Sequence, residues 1–265
     1  MAGLRKAQPL VDDLAEALGY ARAVHKYAWV DIRVRFDRTV LGPLWTVATT
    51  LLWVLTVGLV MAELFNQPLF DQLPYLTFGM FAWQYVSAVV LEATATFTQQ
   101  KHFLLACNLP LMFFVLRVVW RNLIVLFLLT AVAVVFAAGF GLLRPSVLWH
   151  APAVLALYAL LSVPVVTILS CIGSRFLDTA PMVTIVMNIM IIITPIFWRK
   201  SLLPAGHPVT NLNPLISIVD LYRDLFLAGG AGAATYMTCL LLAGALWIAA
   251  AAVFALARAY VRHWI

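Results

Sequence analysis

"RFDRTVLGPLW", residues 35–45, is where this chain changes character. Seven of its 17 Lys and Arg residues lie at or before Arg38, and nothing from Thr39 to Ala62 carries a charge. A run of that length matches the roughly 20 apolar residues a helix needs to cross a hydrocarbon core. The boundary therefore reads as an elbow. Pro43 fits a first-turn helical position, where its missing N–H costs nothing. Gly42 lets the backbone turn sharply. Trp45 fits headgroup depth as an anchor.

Composition extends this reading to the whole chain. Of 265 residues, 64% are hydrophobic and 11% charged, with a mean hydropathy of +0.99. Soluble domains carry about 25% charged residues, so a water-exposed globule is excluded. Uncharged runs of membrane-spanning length cover 39–62, 72–91, 122–143, 145–174, 179–198, 201–219 and 225–257. The stretch 201–219 holds Pro204, Pro208 and Pro214 among polar residues, and backbone that irregular cannot face lipid. The expectation is an all-α integral membrane protein. A region of residues 1–38 precedes a transmembrane domain, 39–265, with six spans near 40–63, 72–92, 120–143, 147–173, 180–198 and 233–257.

Six spans place both termini on one side. That side would hold Arg5, Lys6, Arg22, Lys26, Arg33, Arg35, Arg38, Lys101, Arg117, Arg121, Arg175, Arg258 and Arg262, against Arg144, Arg199, Lys200 and Arg223 on the other. Positive charge collects on the cytoplasmic face, so both termini are expected there, with the basic surplus serving topology rather than nucleic acid. The first forty residues are too charged for a secretory signal.

Residues 9–28 read as one amphipathic helix, with Leu10, Leu14, Leu18, Ala21, Val24 and Ala28 on its apolar face. Asp12, Asp13 and Glu16 precede Arg22 and Lys26, the order a helix dipole favours. Such a helix lies along a membrane surface. Residues 92–121 read as a cytoplasmic connection, and 175–178 as a tight turn with Arg175 and Asp178 spaced to pair. Asn213-Pro214 is a helix-start signal. The helix it opens, with Leu215, Val219, Tyr222 and Phe226 as its stripe and Gly229-Gly230 as its stop, reads as an outer re-entrant element.

Catalytic chemistry finds little support. Glu63 and Glu92 fall near opposite interfaces, and His150 and His207 near the face opposite His25, His102 and His263. Neither a metalloprotease HExxH nor a GxSxG elbow occurs. "AGGAGAAT" (228–235) lacks the lysine of a phosphate loop, so any ATP would be bound by another chain. Cys107, Cys171 and Cys239 lack metal-ligand spacing and read as reduced, buried thiols. In the second span, Tyr75, Phe78, Phe81 and Tyr85 share one helix side. They read either as belt and core residues or as ring faces along a glycan path.

The assembled pattern resembles the membrane subunits of type-2 ABC exporters for bacterial polysaccharides (O-antigen, teichoic acid, capsule). Five stretches carry the likeness: "DIRVRFDRTVLGPLW" (31–45), "YLTFGMFAW" (75–83), "CNLP" (107–110), "SRFLDTAPMVTIVMNIMIIITPIFW" (174–198) and "NPLISIVDLYRDLFLAG" (213–229). One departure is that "LLACNLPLM" (104–112) lacks the basic residues common in relatives. The resemblance implies a homodimer in the bacterial inner membrane with two ATPase chains that bind ATP and Mg, exporting a lipid-linked polysaccharide such as O-antigen. Gln99, Gln100, Lys101, His102, Phe103 and Leu104, within the 98–108 loop, would couple to the ATPase. Asn213, Pro214, Tyr222 and Arg223 would belong to the outer gate. Arg33, Arg35 and Arg38 are candidates for the substrate's phosphate, since guanidinium pairs with phosphate bidentately; anchoring to anionic membrane lipid is the other role open to them. A small-molecule or drug exporter, an ATP-independent lipid-glycan flippase and a membrane enzyme acting on polyprenyl glycans are the alternatives.

Overall fold

The computed structural model describes residues 9–64, 66, 68–204 and 206–265; Arg5 and Lys6 lie outside the described residues. These residues form helices and connecting turns, with no strand among them. Among the described residues five helices are long and apolar enough to cross a membrane: α3 (Leu44–Leu64), α4 (Leu69–Ala93), α7 (Leu111–Gly139), α8 (Val147–Arg175) and α12 (Ala233–Trp264). A shorter apolar helix, α9 (Thr179–Ile193), follows α8. The remaining α-helices are α1 (Leu10–Gly19), α2 (Ala21–Arg35), α5 (Thr96–Gln99), α6 (Lys101–Ala106), α10 (Pro208–Asn211) and α11 (Pro214–Leu227), with a 3-10 turn at Lys200–Leu202.

The apolar runs become helices because no chain segment can leave backbone polar groups unpaired in lipid. Their burial differs sharply. In α4, 67% of the apolar window is buried, against 22% in α3 and in α12. Thus α4 is the central post, touching α3, α7, α8, α9 and α11. Helix α3 turns one narrow stripe inward (Val47, Thr50, Val54, Gly58 and Ala62) and leaves its other faces open. Close packing of α8 depends on Gly173, where any Cβ would overlap the Thr94 carbonyl.

The elbow is built from turns. Arg38 and Gly42 have positive φ, 63° and 55°, and Leu44, Trp45 and Thr46 donate in turn to the carbonyls of Leu41, Gly42 and Pro43. Pro43 sits just ahead of the first helical residue, and Trp45 is half-exposed.

Three local readings change. The helix expected over 9–28 is two helices, broken at Tyr20, whose N–H bonds back to Ala17. The break rotates the stripe, so Leu10, Asp13 and Ala17 are buried in α1 while Leu18 and Ala21 are exposed. The connection expected over 92–121 ends early, because α7 starts at Leu111 and takes Arg117 and Arg121 into its body. Among the described residues Arg175 does not pair with Asp178; its guanidinium lies 5.3 Å from the Phe176 ring and 5.2 Å from that of Trp264.

Candidate functional site

The polar chemistry gathers at the two ends of the bundle. At the end where α1 and α2 lie, three guanidiniums meet two carboxylates. Asp31 of α2 receives Arg117 through two parallel bonds, Nε to Oδ2 at 2.8 Å and Nη2 to Oδ1 at 2.6 Å, the paired geometry that makes an Arg–carboxylate contact strong and directional. Arg121 Nη1 also donates to Asp31, at 3.1 Å. Glu92, at the end of α4, accepts from Arg121 (2.6 Å), from Asn122 (2.6 Å) and from Arg35 of α2. Arg117 Nη1 reaches Gln100, between α5 and α6, at 2.8 Å, and its guanidinium lies 5.3 Å from the Tyr27 ring. Arg117 thereby joins α2, α7 and the α5–α6 connection, and Glu92 joins α4 to both α2 and α7.

Helix α1 packs Leu10 and Ala17 into the core and is tied to α7 and α12 by Asp13. Asp13 is 1% exposed. One of its oxygens accepts the Met112 N–H at the start of α7, at 2.9 Å, and the other accepts from Arg258 of α12, also at 2.9 Å. A carboxylate suits a helix N-terminus because the first N–H groups there have no partner inside the helix. Asp13→Asn should keep an oxygen for Met112 while losing the charge pair, whereas Asp13→Ala loses both. Hydrogen exchange at residues 111–114 is expected to rise more in the alanine variant than in the asparagine one, and equal exchange in both would refute the capping role.

The three candidate phosphate-binding arginines do not converge. Arg35 is engaged by Glu92. Arg33 lies 5.8 Å from the Trp29 ring, exposed, and Arg38 is exposed at the elbow. The expected coupling stretch divides by face. Leu104 is buried and Phe103 packs against Tyr27, Phe113 and Phe114. Gln99, Lys101 and His102 point outward, and Gln100 accepts from Arg117. A cavity of about 200 Å³ opens beside the cluster, bounded in part by Arg35, Thr46, Gln84, Tyr85 and Asn122.

The opposite end is organised by Arg223 of α11, which is 2% exposed. Its guanidinium lies 3.9 Å from the Tyr75 ring centre and donates to the Tyr75 hydroxyl (3.0 Å), Asp220 (3.2 Å) and the Pro195 carbonyl (2.8 Å). Lys200 also pairs with Asp220. Tyr75 is within 3.1 Å of the carbonyls of Pro195 and Trp198, and Gln72 donates to that of Phe197 at 3.3 Å. This corresponds to the physical need of the segment after α9. Pro195 cannot continue the helix hydrogen bonding, so side chains of α4 and α11 satisfy carbonyls that would otherwise stay bare. Asn213 caps α11 as its sequence predicts, accepting from Leu215 N–H at 3.0 Å, and reaches Thr194 with its amide. Tyr222, fully buried, shares a hydroxyl contact with Thr130 at 3.1 Å. Gly229 and Gly230, both at positive φ, end the helix. Burial and the neighbouring Asp220 push the Asp224 carboxyl above the usual range.

The aromatic row of α4 does not form one open line of ring faces within the chain. Phe78 and Phe81 are fully buried, Phe78 stacking on Phe226 at 4.6 Å. Tyr85 bonds Ser162 at 2.8 Å, and Tyr75 is taken by Arg223. Stacking on a sugar needs an uncovered face, and the packing of α8 and α11 on α4 removes it from Phe78 and Phe81.

Asp31, Arg117, Arg121, Asn122, Asp13 and Arg258 were not singled out as site residues from the sequence. The available signal was the Arg117–Arg121 pair, one helical turn apart in "LRVVWRN" (116–122), since charge inside an apolar helix demands partners.

An all-helical bundle with paired charge confined to its ends is a multi-pass membrane protein. A family model described as ABC-2 type transporter matches residues 24–227. The chain belongs to that family, and is the membrane permease subunit of an ABC transporter. It is similar to two O-antigen export system permease proteins RfbA of Klebsiella pneumoniae, 24% and 23% identical over 202 residues, covering 75% of this chain and 78% of each relative.

Proposed function

We propose that the chain is the transmembrane subunit of an ATP-driven exporter that moves a lipid-linked polysaccharide, foremost O-antigen, across the bacterial inner membrane. The observation that carries this is the similarity to O-antigen export permeases along three quarters of both chains. In this reading α3, α4, α7, α8, α9 and α12 are six spans, both termini are cytoplasmic, and α11 is re-entrant from the outer side. The subunit works as a homodimer with two separate ATPase chains, which hold ATP and Mg. The open apolar faces of α3 and of α9, where Met182, Ile185, Ile189 and Ile192 are exposed, support burial against lipid and a second copy.

Gln99, Lys101 and His102 present the surface that receives the ATPase. Motion there reaches α7 through Gln100 and Arg117, and reaches α4 through Arg121 and Glu92. Arg33 and Arg38, whose guanidiniums are exposed, meet the phosphate of the lipid carrier, while Arg35 holds the junction. Co-expression with a Walker-motif ATPase is expected to yield a complex in detergent. In proteoliposomes that complex should translocate a polyprenyl-linked polysaccharide only with ATP. A complex that moves a small amphiphile but no glycan would replace the substrate, and transport by the chain alone would overturn the ATP-driven reading.

A further inference from the structure

A second cavity, of about 550 Å³, opens at the α11 end between the start of α4 and the end of α7. It is distinct from the Arg35 cavity and from the junction at the other end. Phe70, Asp71, Tyr75, Phe140, Arg199 and Leu227 are among the residues that line it. Its polar wall pairs opposite charges that do not neutralise each other. Arg199 donates to the main-chain carbonyl of Asp71 at 3.3 Å and lies 5.4 Å from the Tyr75 ring, while its buried Nε has no hydrogen-bond partner. Among the described residues no side chain pairs with the Asp71 carboxylate, which belongs to an exposed residue. The other wall is apolar. Phe70 is 77% exposed and sits 6.1 Å from Phe140, which stacks in turn on Phe136 at 4.5 Å. An exposed phenyl ring at the end of a membrane helix suits contact with an acyl chain.

We propose that this cavity binds a phospholipid whose headgroup carries both a phosphate and a primary amine, the phosphoethanolamine class. Arg199 takes the phosphate, for which guanidinium is well matched. Asp71 takes the ammonium, and an acyl chain runs along Phe70 and Phe140. A glycerol headgroup would bring the same phosphate to Arg199 but no ammonium, leaving the Asp71 carboxylate uncompensated beside it. A quaternary amine would keep the charge but has no N–H for the carboxylate. The site needs nothing from the export reading, since it is defined by one chain and the lipid around it.

Native mass spectrometry of the full-length chain, titrated with phosphatidylethanolamine, phosphatidylglycerol and phosphatidylcholine of matched chains, tests this. Phosphatidylethanolamine is expected to bind about tenfold more tightly than phosphatidylglycerol, the difference one charge-assisted hydrogen bond supplies. Arg199→Gln should weaken binding of both, and Phe70→Ser should weaken all three lipids. Asp71→Asn should lose the preference by gaining phosphatidylglycerol, a gain that misfolding cannot produce. Glycerophosphoethanolamine, which lacks acyl chains, should fail to displace the lipid at equal concentration. Equal affinity of the wild-type chain for the ethanolamine and glycerol lipids, or an unchanged preference in Asp71→Asn, overturns the headgroup assignment. Displacement by the soluble headgroup overturns the acyl contact.

Discussion

Glu92→Ala is expected to cause the largest loss of stability at the α1–α2 end. The alanine removes the acceptor shared by Arg35, Arg121 and Asn122. Arg121 would keep one bond to Asp31, but the amide of Asn122, a residue 3% exposed, would keep only the Val118 carbonyl. Removing one partner of a buried ion pair costs about 3–5 kcal/mol because the remaining charge stays desolvated; Glu92 is 19% exposed and Arg35 46%, so the lower end of that range is the expectation. The thermal midpoint of the detergent-solubilised chain should fall accordingly. The double replacement Glu92→Leu with Arg121→Leu should recover part of the loss, since it removes the stranded charge along with its partner. A single variant as stable as the wild type would show that the cluster is not a structural junction.

Arg223→Met should act at the other end with comparable size, on the order of 3 kcal/mol for a buried cation with several partners. Methionine fills much of the volume but withdraws donors from Pro195, Asp220 and the Tyr75 hydroxyl. Asp220 keeps Lys200, so the chief damage is the release of α11 from the segment after α9. Hydrogen exchange is expected to rise in residues 194–199 and 214–227 and to stay unchanged at 111–122. Gly79→Ala offers a check that leaves Arg223 in place. A Cβ at Gly79 would meet the guanidinium directly, so the alanine should loosen the same two segments to a smaller degree. Exchange that rises evenly over the whole chain in either variant would count against a local latch.

Some features were readable because they depend on neighbours in the chain. Apolar run length announced α3, α4, α8 and α12, and Asn213-Pro214 announced the start of α11. Gly42, the turning residue that the sequence suggests for the elbow, has positive φ, but Arg38 shares that backbone region without any glycine signal. The start of α7 was missed by nine residues. A charge-free window cannot contain Arg117 and Arg121, yet both are helical because Asp31 and Glu92 receive them. The α1 stripe was misread for a related reason. A periodicity that counts only apolar residues skips Asp13, the residue on which α1 turns inward.

The sequence by itself determined that this chain lives in a membrane and roughly where its long helices run. Those properties are sums over local composition, and lipid enforces them segment by segment. Only the tertiary structure decided which charge meets which. Asp13 caps a helix 99 residues away, and Arg223 reaches 148 residues back to Tyr75. In an apolar surrounding every charge and bare carbonyl must find a partner. That rule states the need from sequence, while the identity of the partner depends on how distant helices pack.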